Sequence, residues 1–159
     1  MPKKPRRTDT SRIADWVSDA ISTMVSAYVA TPSEDALRLM YHETWRSILE
    51  VYEQSMHRIK VSNLEEIVRL VADRVAVDML AARYPELPPD RLYFWARRIA
   101  DVIYTDIWRY IVSYITVKRL IEEVERRETR VRRPRYRRSH HIIYYVMRRV
   151  EEELYGLGI

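Results

Sequence analysis

Residues 89–125 read PDRLYFWARRIADVIYTDIWRYIVSYITVKRLIEEVE. Trp95, Ile99, Val102, Ile103, Ile107, Ile111, Tyr114 and Ile115 recur at three- and four-residue steps, the period of one face of an α-helix. Leu92, Trp108, Tyr110, Leu120, Ile121 and Val124 widen that stripe. Several of these residues are β-branched and would suit strands, but the charged residues recur with the same helical spacing. The stretch therefore predicts one long or bent helix from Pro89 or Asp90 to Glu125, which at 1.5 Å per residue would span roughly 50 Å. Asp101, Asp106 and Arg109 interrupt the apolar run of residues 99–117. No segment approaches the roughly 18 uninterrupted apolar residues of a membrane span.

Working back toward the N-terminus, Pro85, Pro88 and Pro89 make a stiff connection. Before it, Leu64, Ile67, Val68, Val71, Val75, Met79 and Leu80 predict a helix ending near Tyr84, with Ser62 as cap and Glu65 answering three residues later. Leu37, Tyr41, Ile48, Tyr52 and Ile59 predict another helix to about Lys60, with Met40, Trp45, Val51 and Met56 broadening its apolar face. Thr31-Pro32-Ser33-Glu34 opens it, with Thr31 read as cap and Pro32 as the first helical residue. Ile13, Val17, Ile21, Met24 and Tyr28, with Trp16 and Ala20 at the edges, predict a first helix from Thr10 or Ser11 toward Val29. Beyond residue 125, Ser139 resembles a cap for a last amphipathic helix carrying Ile142, Ile143, Tyr145, Val146, Arg149, Val150 and Leu154. Gly156 suits a left-handed end to that helix.

The expected fold is thus all-α: an extended bundle of about five helices, two or three of them long. Residues 1–9 form a basic N-terminal arm, and residues 10–159 a single helical domain. Gly156 and Gly158 are the only glycines, which leaves few sites for hairpins or phosphate-cradling turns. Cysteine is absent, and Asn63 and Gln54 are the only side-chain amides. Together with many charged residues, this composition fits a heat-exposed protein.

Positive charge is unevenly distributed. Residues 1–12 hold Lys3, Lys4, Arg6, Arg7 and Arg12 against Asp9, a net +4. Residues 126–138 hold Arg126, Arg127, Arg130, Arg132, Arg133, Arg135, Arg137 and Arg138 against Glu128, a net +7. The remaining residues carry 15 basic and 21 acidic side chains, a net −6. Like charges at such density repel unless an anion lies against them. The planar arginine fork suits phosphate oxygens. These two segments are the candidate phosphate-binding residues.

Catalytic and metal-binding motifs are absent. The chain has no HExxH pair, no phosphate-binding P-loop and no cysteine metal set. His42, His57, His140 and His141 match no ligand spacing, and the adjacent His140 and His141 point in different directions on a helix. No catalytic residue, cofactor, metal or small-molecule substrate is expected. Tyr136 is the only aromatic residue within a basic run, so duplex backbone contact fits better than single-strand stacking. Arg91, Arg97 and Arg98 could imitate a recognition helix, but nothing identifies a base-reading asparagine or glutamine beside them.

A basic N-terminal arm, long helices joined by short capped turns, an Arg-rich segment and no catalytic motif resemble the major coat proteins of filamentous or rod-shaped viruses of hyperthermophilic archaea. The resemblance covers most of the chain as an architecture. It implies an all-helical protein that assembles as homo- or heterodimeric units around linear double-stranded DNA held in the A form. It implies that Lys3, Lys4, Arg6, Arg7 and Arg12 enter a DNA-facing arm, and that the arginines from Arg126 to Arg138 form a second phosphate-contacting set. It also implies aromatic stripes that join protomers in a helical filament. The location would be the virion, with the host cytoplasm as the site of assembly. Two other classes are open: a dimeric DNA-binding regulator or chromatin-like protein, and an anionic-membrane or protein-interaction module.

Overall fold

The structure, a computed structural model, describes the backbone of residues 5–55, 59–123 and 136–156, and the side chains of residues 10–55, 59–120 and 138–156. The described residues form an all-α bundle of six helices: α1 Pro5–Ala20, α2 Ser22–Ala30, α3 Glu34–Gln54, α4 Val61–Arg83, α5 Pro89–Glu123 and α6 Tyr136–Tyr155. Among the described residues no helix is long and apolar enough to cross a membrane.

The centre is α4. Leu64, Ile67, Val68, Val71, Ala72, Val75, Ala76, Met79 and Leu80 are all buried, so the helix is apolar over most of its circumference. Such a helix is stable only when neighbours cover it on several sides. Here α5, α1, α2 and α3 all pack against it. α5 returns antiparallel to α4, with the Tyr104 hydroxyl donating to Glu65 at 2.6 Å and Arg69 facing Asp101 at 3.8 Å. α1 and α2 run parallel to α4, because Thr10 meets Glu66, Ser11 meets Arg74 and the Val29 carbonyl meets Arg83. α6 closes the bundle against α5 and α3.

The expected long helix is present as α5, 35 residues from Pro89 to Glu123; Val124 and Glu125 lie outside the described residues. Its stripe residues Trp95, Ile99, Ile103, Ile107 and Ile111 are buried. Past Ile111 no described side chain of α5 is fully buried, but Tyr114 and Ile115 still pack against the core and Lys118 reaches Glu53 of α3.

Several boundaries differ from the sequence reading, each for a local reason. α1 begins at Pro5, not near Thr10, so residues 5–9 are helical rather than an extended arm. Proline at the first helical position loses no hydrogen bond, and its fixed φ favours the turn. The first helix is also divided at Ile21, where φ is −100° and ψ 4°. Ser22 Oγ donates to the Asp19 carbonyl at 2.9 Å beside the break, the kind of side-chain bond that competes with a regular helix. Trp16 and Ala20 face solvent rather than widening the buried stripe.

The cap of α3 is Ser33, whose Oγ accepts from Ala36 N at 3.1 Å; Thr31 ends α2 instead. α3 stops at Gln54, short of Lys60, and residues 56–58, including Met56 and His57, lie outside the described residues. Ser62 does not cap α4. The extended residue before that helix is Lys60, and Glu65 is committed to Tyr104 rather than to a capping box. Ser139 likewise lies inside α6, which starts at Tyr136, two residues after Pro134. Gly156 has φ 66° and donates its N–H to the Glu152 carbonyl at 2.9 Å, the expected left-handed helix end. Leu157 and Ile159 lie outside the described residues.

Candidate nucleic-acid interface

The candidate phosphate-binding residues fall in three groups. Lys3 and Lys4, and Arg126, Arg127, Arg130, Arg132, Arg133 and Arg135, lie outside the described residues. Arg6 and Arg7 belong to the first turns of α1 and Arg137 to the first turn of α6 by backbone alone. Arg12 and Arg138 are exposed side chains. α1 and α6 are not among the packed helix pairs of the described residues.

The C-terminal end of the Arg-rich segment is tied into the core. Immediately after Arg138, the Ser139 hydroxyl donates to the Asp106 carboxylate on α5. Both residues are buried. The Tyr41 hydroxyl on α3 neighbours the same carboxylate and favours its charged form. One residue further on, His140 Nδ1 and the Tyr28 hydroxyl on α2 are hydrogen-bonded at 2.9 Å, with the rings edge to face. The first turn of α6 is thus held by α2 and α5 together.

Burial sets the charge states in this cluster. It pushes the Asp106 carboxyl up to about 6, against the opposing pull of the Arg109 guanidinium and the Tyr41 hydroxyl. It also raises the Tyr28 hydroxyl well above its usual range, keeping it protonated. Burial, followed by the neighbouring His141, lowers His140 below the ordinary histidine value. Neutral His140 can then accept the Tyr28 proton on Nδ1 in the tautomer protonated at Nε2. His140 is half-buried and bound to Tyr28, whereas His141 is exposed. Among the described residues no group of three or more His, Asp or Glu side chains is placed to hold a metal ion.

The sequence reading missed this anchor. A signal was present: Asp106 falls between Ile103 and Ile107 on the apolar stripe of α5, where an ionised carboxylate would be costly without partners. No local pattern named Tyr41 and Ser139 as those partners.

Other arginines are used within the bundle. The Arg91 guanidinium pairs with Glu153 and lies 4.5 Å from the Phe94 ring centre; Arg98 lies 4.4 Å from the same ring. Arg83 reaches the Val29 carbonyl at 2.7 Å and faces Glu151 at 3.6 Å. Arg91 is therefore an internal clamp between α5 and α6, not part of a free recognition surface. A groove of about 340 Å³ between α3 and α5 is lined by Trp45, Glu50, Glu53 and Tyr114, but Glu53 is bound by Lys118 at 2.6 Å. Comparison with protein-family models, curated proteins and solved structures found no match to this chain.

Proposed function

We propose that this chain is a structural coat protein that packages double-stranded DNA in a helical filament through sequence-independent phosphate contacts. One observation carries the reading: a net +7 concentrated in residues 126–138, set beside a body of net −6. The anchoring of the next helix supports it. A cationic segment loses conformational freedom when it binds, and an anchored end lowers that cost. The Ser139–Asp106 and His140–Tyr28 contacts give the segment such an end on a rigid bundle.

The mechanism is charge neutralisation and scaffolding. Each arginine laid against a phosphate releases a condensed counterion, so binding weakens with salt by a slope of roughly 0.9 per phosphate contacted. Contacts that are individually weak become collectively strong when repeated along a filament. Exposed aromatic side chains such as Trp16, Tyr93 and Tyr145 supply surface for contacts between protomers, homomeric or with a second coat protein. The virion is the location this reading implies, and removal of water from the duplex would favour its A form.

The test is negative-stain microscopy of the protein mixed with long random-sequence duplex across a salt titration. Regular filaments that dissolve as salt rises are expected, with a circular dichroism spectrum moving toward the A form. Discrete complexes at one preferred sequence would support a regulator instead. Binding to anionic vesicles with no binding to DNA at low salt would overturn the reading.

A further inference from the structure

The segment Arg148-Arg149-Val150-Glu151-Glu152-Glu153 looks electrically balanced or acidic in sequence, but the fold sorts its charges. Glu151 turns inward, accepting from the Tyr84 hydroxyl at 2.7 Å and facing Arg83. Glu153 turns to α5, where it holds the Arg91 guanidinium and faces Trp95 Nε1 at 3.3 Å. Two of the three carboxylates are thereby neutralised by the body. The buried side of α6 is Ser139, Ile143, Val146, Met147 and Val150. The opposite side presents Arg138, Arg148 and Arg149 to solvent, with Glu152 half-buried beside them and Glu153 exposed but paired to Arg91. Glu152 accepts from Arg149 at 3.1 Å, an exposed three-residue pair of the kind that exchanges readily with other anions. Tyr144 and Tyr145 stand exposed between the arginines, Tyr145 at 64%.

We infer that the solvent face of α6 is a further phosphate-contacting surface, following the Arg-rich segment in sequence, and that its ligand is the backbone of double-stranded nucleic acid. The inference rests on the DNA-binding reading above and extends it to residues outside the two basic runs. Arg138 and Arg148 are ten residues apart, about 15 Å along a rigid helix, which sets cations at fixed positions where the preceding segment is an arginine run. Guanidinium groups offer donors alone, and the tyrosine hydroxyls add a donor each, which matches phosphate oxygens. No asparagine or glutamine occurs in α6, so the face carries no bidentate amide for reading adenine.

The experiment compares the full chain with an Arg148→Gln/Arg149→Gln variant in binding a random-sequence duplex over a range of salt concentrations. The control is Arg38→Gln/Arg46→Gln, which removes the same charge from exposed positions on α3. The α6 variant should lower the salt slope by about 2, since each phosphate contact contributes roughly 0.9, and the control should leave it unchanged. A second measurement needs no variant: duplex should protect Arg148 and Arg149 of the wild-type chain from an arginine-modifying dicarbonyl, read by mass spectrometry. An unchanged slope with no protection, in a chain that still binds duplex, overturns the inference and leaves the coat-protein reading standing. Loss of all duplex binding by the wild-type chain at low salt overturns both. Tighter binding to single strands of equal length, or protection by anionic vesicles but not by duplex, overturns the assignment of the ligand.

Discussion

Asp106→Asn should change how stability depends on pH. The folded carboxyl titrates near 6 against an ordinary 3.8, with burial as the main cause. Below pH 3.8 both folded and unfolded chains hold the proton, so the residue contributes no pH dependence. Between 3.8 and 6 the unfolded chain releases the proton while the folded chain keeps it, so stability falls as pH rises. Above 6 the full cost is present, about 3 kcal/mol at roughly 1.4 kcal/mol per pH unit. Asparagine keeps the shape and can still accept from Ser139, but it carries no charge to desolvate. The variant should match wild type near pH 4 and exceed it by up to about 3 kcal/mol at pH 8, or about 6–12 °C in Tm for a chain of this size.

His140 acts in the opposite direction. Its depressed value makes stability fall as pH drops below the ordinary histidine range. Asp73 and Asp78 are also raised by burial and share the sign of Asp106. All three groups are present in both proteins, so their effects cancel in the difference. Urea unfolding followed by circular dichroism at unit steps from pH 4 to pH 8 measures that difference directly. A difference that stays flat across this range, or a variant less stable than wild type at pH 8, would refute the reasoning. It would mean that Ser139, Tyr41 and Arg109 stabilise an ionised carboxylate more than burial penalises it.

Ser33→Ala removes the side-chain cap on Ala36 N and should cost about 1 kcal/mol in denaturant unfolding, whereas Thr31→Ala, outside that cap, should cost less. Ile67→Ala empties a fully buried position on the central helix and should cost about 2–5 kcal/mol by the same measurement. Gly156→Ala puts a Cβ at a φ of 66° and should destabilise by about 1 kcal/mol, with faster amide exchange confined to the last turn of α6. Replacing Arg132, Arg133 and Arg135 with Gln should flatten the salt dependence of duplex binding by up to about 3 and leave the thermal melt unchanged.

Helical periodicity made much of this architecture legible. The stripe Trp95, Ile99, Ile103, Ile107 and Ile111 marks α5 because residues three and four apart share a helical face whatever surrounds them. The same holds for Leu64, Ile67, Val68, Val71 and Val75 in α4, and Gly156 marks a helix end because its φ is positive. The two basic runs can be read directly, since net charge along a segment needs no fold. Helix starts were less legible. Ser33 rather than Thr31, and Lys60 rather than Ser62, begin their helices, because neighbouring polar residues compete for a cap and chain entry decides among them. The sequence by itself also contains no signal that brings Asp106 to Ser139 across 33 positions, or Tyr28 to His140 across 112. Those meetings, and the pairing of Glu151 and Glu153 with α4 and α5 that leaves Arg148 and Arg149 facing water, depend on which helix packs where. Local spacing determines which face of a helix is apolar. Only the packed bundle decides which partner covers that face and which charges are left for a ligand.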